Sequence, residues 1–174
     1  MRVHDDNDND VDGKTVMSDY NDGAQIVPLS GMAEMIAKAA PGIPFEYEAS
    51  PGVPKYGRVQ LLTRDDYAKL HFQYHDKSWF SYGERAPDFP LCVDYTTFAI
   101  MDNWKGAVLS GLAVRTAHIK VGYLRSDLPD GKNAHEIMGA LTVDGKLIYI
   151  DPQVDDAWTD APPACQQILG FEII

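Results

Sequence analysis

Apolar residues recur at helical spacing in three stretches of the chain and alternate at strand spacing in four others, which predicts a mixed helix and sheet core. Ser30 to Ala40 reads as a short helix with Ser30 as its N-cap, stopped by Pro41-Gly42. The Pro/Gly-rich run from Pro41 to Pro54 is then an irregular connection. Arg58 to Leu62 predicts a strand, and Thr63 caps a helix over about 64–80 whose positive first turn holds Asp65 and Asp66. A further helix runs from Pro90 to Lys105, with Gly106 available to end it. Ala117 to Leu124 alternates as a strand, and Ser126 to Lys132 is a turn-rich loop. His135 to Val143 and Lys146 to Asp151 form a hairpin around Asp144-Gly145, and the chain closes on a loop and a short apolar edge strand.

The hairpin register decides which side chains share a face. A two-residue turn at Asp144-Gly145 would pair Val143 with Lys146 and set His135 and Asp151 on opposite faces. A three-residue loop, Val143-Asp144-Gly145 with Gly145 in the left-handed region, pairs Thr142 with Lys146 and brings both to one face. Glycine at the last loop position favours the second arrangement.

Residues 1–25 are rich in Asp, Asn and Gly with few hydrophobes, a composition that cannot offset its own ordering entropy, so a flexible acidic segment is expected there and one domain over 26–174. A formal charge of −11 without a Lys/Arg cluster disfavours nucleic acid and anionic membranes as partners. No stretch reads as a membrane span or signal peptide, and two cysteines make no disulfide framework, so a cytoplasmic protein is expected.

Against this background one constellation carries chemistry. Pro90 suits the first helical position and places Cys92 in the first turn, where unpaired N–H groups and the helix dipole favour a thiolate and can hold an oxyanion. His135 and Asp151 follow in the order of a base and its orienter. The competing account makes Cys92 a buried thiol, His135 a half-buried histidine and Asp151 a turn former before Pro152.

The segments Cys92-Val93-Asp94-Tyr95, Asn133-Ala134-His135 and Asp151-Pro152-Gln153 resemble the papain-like, transglutaminase-like superfamily. More narrowly they are similar to the cysteine-peptidase-like domain at the C-terminus of a mushroom agglutinin and in phage and bacterial proteins. The pattern there is Cys-Asp-x-Phe, Asn-Ala-His and Glu-Pro-Gln. Here the acidic residue sits two places after Cys92, and Asp151 replaces the longer Glu. The resemblance implies an α+β papain-like domain, with a nucleophile-bearing helix packed on an antiparallel sheet. It implies a cysteine hydrolase or acyl transferase acting on a peptide, amide or ester, with Cys92 as nucleophile, His135 as acid/base and Asp151 as orienter. Asn133 and Gln153 would assist with substrate or oxyanion, and the triad would need no cofactor. The second expectation is a non-catalytic binding or phage structural module that retains the fold, and the phage resemblance implies a virion-associated protein as the alternative to a cytoplasmic one.

Asp8, Asp10 and Asp12, followed by Gly13 and Asp19, have the oxygen-ligand spacing of a calcium loop, so calcium is the one cofactor the residues suggest. Asp stands there at the twelfth position, where a bidentate Glu is usual.

Overall fold

Seven strands and three helices form among the residues that the computed structural model describes, 24–46, 57–74, 92–109, 112, 114–127, 134–154 and 157–173. In chain order they are β1 (Gln25–Pro28), α1 (Leu29–Ala39), β2 (Phe45–Glu46), β3 (Arg58–Leu61), α2 (Arg64–Tyr74) and α3 (Cys92–Leu109), then β4 (His118–Arg125), β5 (Ala134–Leu141), β6 (Leu147–Ile150) and β7 (Cys165–Glu172). Five strands make one sheet in the order β2-β7-β4-β5-β6, while β1 and β3 form a separate antiparallel pair. The two sheets are joined where Gln60 N–H donates to the Arg115 carbonyl and Val143 N–H to that of Leu62.

The expected antiparallel sheet is in fact mixed, because β2 runs parallel to β7. The expected edge strand, β7, lies inside the sheet between β2 and β4. Exposed Gln166, Gln167 and Leu169 blur its alternation, whereas Phe171 is buried opposite Val121. Gln25 already belongs to β1, one residue inside the stretch expected to be flexible, and residues 1–23 lie outside the described residues.

Period-two alternation sends neighbouring side chains of the sheet to opposite cores. Ile119, Val121, Tyr123, Ile137 and Phe171 pack with Met32 and Ile36 of α1 and with Val59 and Leu61 of β3. Met138, Ala140, Ile148 and Ile150 pack on the other side with Tyr67 and Leu70 of α2 and Ile100 and Ala107 of α3. Full burial of a side chain such as Ile36 or Ile100 contributes roughly 2 kcal/mol over its exposed form.

The helix ends follow local chemistry unevenly. At α2 the Thr63 hydroxyl accepts the Asp66 N–H at 3.2 Å and donates to the Asp66 carboxylate at 2.7 Å, so Thr63 caps the helix as its sequence position predicts. At α1 the cap position falls to Pro28, not Ser30, because Leu29 N–H finds a backbone acceptor in Gly57 at 3.0 Å. Helix α3 continues past Gly106 to Leu109, since Ala107 is fully buried in the core beneath it.

The β5–β6 connection adopts the three-residue loop. Thr142 N–H donates to the Lys146 carbonyl at 2.9 Å, and Gly145 sits at φ 76°. Gly145→Ala should therefore lower stability by about 1 kcal/mol, read as the shift of the urea midpoint, because an L side chain is strained in that backbone region. An unchanged midpoint would mean that the loop relaxes to another turn.

Candidate functional site

The three-residue loop sets Met138 opposite Ile150, so His135 on β5 and Asp151 just beyond β6 emerge on the same face as Ile137 and Tyr149. His135 Nε2 and Asp151 Oδ2 lie 2.7 Å apart. The Asp151 side chain is 1% exposed and that of His135 10%. The second Asp151 oxygen accepts the Gln153 N–H at 3.0 Å, and the edge of the Tyr123 ring meets the imidazole at a centroid distance of 5.7 Å. Burial pushes the Tyr123 hydroxyl well above its ordinary pKa, so it stays protonated and donates to the Pro163 carbonyl. The carboxylate thus ties strand β5 to the chain leaving β6. Gln153 contributes its backbone to this clasp, while the residue itself is exposed.

Cys92 opens α3 and is partly exposed. The helix lies across the other face of the sheet, where Ile100 and Ala107 join Met138, Ala140 and Ile150. Thr96 donates to the Glu136 carbonyl at 3.0 Å, which brings the head of α3 to the His135 end of β5 from that opposite side. Among the described residues no hydrogen bond joins Cys92 to His135, and no group of three His, Cys, Asp or Glu side chains could hold a metal ion. Cys165 is also a free thiol, its pKa raised by burial. Asn133 and the calcium-spaced Asp8, Asp10, Asp12 and Asp19 lie outside the described residues.

A second feature escaped the sequence patterns. Under the β5–β6 turn opens a cavity of about 580 Å³, floored by Leu147, Ile148 and Tyr149 and bordered by Ala39 of α1. Two ion pairs stand on its rim, Arg64 with Asp160 at 2.6 Å and Lys146 with Asp144 at 2.8 Å. Arg64 also donates to the Trp158 carbonyl. The Lys146 ammonium and the Thr142 hydroxyl hold the Asp144 carboxyl below the usual carboxylate range. Burial raises the Tyr149 hydroxyl to about 12. Arg64 starts a helix, Asp144 marks a turn and Asp160 sits in a loop, so no shared period could have linked them.

No family model and no curated protein matches this sequence. Among solved structures the chain is similar to Polyporus squamosus lectin, crystallised with the human-type influenza-binding epitope Neu5Acα2-6Galβ1-4GlcNAc. The TM-score is 0.51 at 12% identity, over 85% of this chain and 49% of that one. The chain therefore spans about half the length of that lectin, and the likeness is one of fold.

This finding overturns the resemblance drawn from the short motifs. The fold is shared with a sugar-binding lectin and is not the expected papain-like α+β domain with a helix-borne nucleophile. The cysteine-peptidase, hydrolase and catalytic-triad readings fall with it, and nothing supports a phage link. Three short motifs specify residue types and order, but not the side of the sheet on which the helix packs. No helix among the described residues is long and apolar enough to cross a membrane.

Proposed function

We propose that this chain is a non-catalytic binding module whose ligand class is carbohydrate. The observation that carries the non-catalytic part is that no hydrogen bond joins the Cys92 thiol to the His135 imidazole among the described residues, while α3 packs through Ile100 and Ala107 on the face opposite Ile137 and Tyr149. A thiol nucleophile needs its base within hydrogen-bond reach. In this reading His135 and Asp151 form a buried structural clasp. Support for a glycan in place of a peptide, amide or ester comes from the fold shared with a lectin, whose own glycan is described for a chain about twice as long.

A glycan array probed with the whole chain tests the ligand class, with sialylated and unsialylated Galβ1-4GlcNAc among its members. Selective retention is expected, and Cys92→Ser should bind as well as the unaltered protein. Brief iodoacetamide treatment followed by mass spectrometry should show Cys92 alkylated no faster than an ordinary thiol, whose thiolate fraction is small well below pH ~8. An empty array removes the carbohydrate reading. Rapid alkylation of Cys92 at acidic pH would restore thiol chemistry in its place.

A further inference from the structure

We propose that the cavity under the β5–β6 turn is a saccharide site for a neutral, hydroxyl-rich ligand of one or two rings, held by Arg64, Asp144, Lys146 and Asp160 over Leu147 and Tyr149. The ligand class rests on the carbohydrate-binding reading above. The location rests on the cavity itself.

Its volume of about 580 Å³ falls within the roughly 300–1,000 Å³ that small-molecule sites occupy. Its rim carries two cations and two carboxylates, so its formal charge is zero although the whole chain carries −11. A phosphate or sulfate would meet as many carboxylates as cations there, and a polycation would meet the converse. A sugar hydroxyl both donates and accepts, so a ring bearing several can use the acceptors Asp144 and Asp160 together with the donors Arg64 and Lys146. Ala39 and Leu147 offer the apolar surface that the C–H face of a ring covers.

Part of this rim is also tied down before any ligand arrives. Thr159 pairs with Tyr149 through N–H···O bonds of 2.9 and 2.8 Å, which stitches the segment bearing Asp160 to the edge of β6. Arg64 is fixed by both Asp160 and the Trp158 carbonyl. Asp144 accepts the Thr142 hydroxyl at 2.5 Å within the closed loop. Side chains already positioned lose less freedom on binding, which leaves more of the contact energy as affinity.

The test is a titration of Galβ1-4GlcNAc into the isotope-labelled whole chain, followed by NMR. Amide shifts should concentrate at residues 144–149 and 158–160. Asp160→Asn and Asp144→Asn should each weaken binding about tenfold, the loss expected for one charged hydrogen bond. Both carboxylates are more than half exposed, so neither variant should unfold. Glycan binding with shifts elsewhere, or with both variants at full affinity, overturns the cavity as the site while leaving the binding module intact. Tighter binding of inorganic phosphate than of the disaccharide would overturn the neutral-ligand assignment. No binding of any arrayed glycan would remove the carbohydrate reading and this site together.

Discussion

Asp151→Ala should cost about 3 kcal/mol of folding stability, the penalty expected when one partner of a buried, hydrogen-bonded pair is removed. Both carboxylate oxygens are engaged, one with the His135 ring and the other with the Gln153 N–H, and the side chain is 1% exposed. Truncation would leave a buried imidazole nitrogen and a backbone donor without their acceptor. For a domain of this size the melting temperature should fall by roughly 6–12 °C. Asp151→Asn keeps an oxygen for the Gln153 N–H, so it should lose only part of this. Urea unfolding of the three proteins checks the ordering. A loss below about 1 kcal/mol for Asp151→Ala would show that the clasp is dispensable and that surface solvation replaces it.

The second large effect is expected at Gly139, in the C-terminal half of β5. A Cβ placed there would come within 2.7 Å of Val121 Cγ2, 3.2 Å of Ile119 Cγ1 and 3.4 Å of the Ile148 carbonyl oxygen. Both apolar neighbours belong to β4 and are fully buried, so neither can swing into solvent. Gly139→Ala should therefore cost about 2 kcal/mol through overpacking, even though alanine suits a strand better than glycine. Pairing it with Val121→Ala gives a double-mutant cycle in which the two changes partly cancel. Simple additivity would place the strain somewhere other than the Val121 contact.

The readable parts of this chain are those governed by residues close in sequence. Thr63 caps α2 because the hydroxyl and the Asp66 N–H are three residues apart, and the loop at Asp144-Gly145 adopts its three-residue form because Gly145 alone tolerates φ 76° there. That loop in turn places His135 and Asp151 on one face. Neither β1 nor the interior position of β7 could be read in the same way. Strand β1 is four residues long and meaningful only once β3 lies beside it, and β7 joins β4 through two register shifts that no local pattern announces.

The decisive ambiguity lay in β5 and β6, whose residues are apolar toward both sides of the sheet: Ile137, Leu141 and Tyr149 enter one core, and Met138, Ala140 and Ile150 the other. When both faces are apolar, alternation identifies a buried strand but cannot say which side a given helix will cover. Sequence alone therefore determined the hairpin, its register and the meeting of His135 with Asp151, because these depend on turn chemistry and a period of two. Tertiary packing alone decided that α3 covers the face of Met138, Ala140 and Ile150, and that Arg64, Asp144, Lys146 and Asp160 gather around one cavity. Those placements depend on which surfaces long stretches of chain bury together, and no spacing of residue types records that choice.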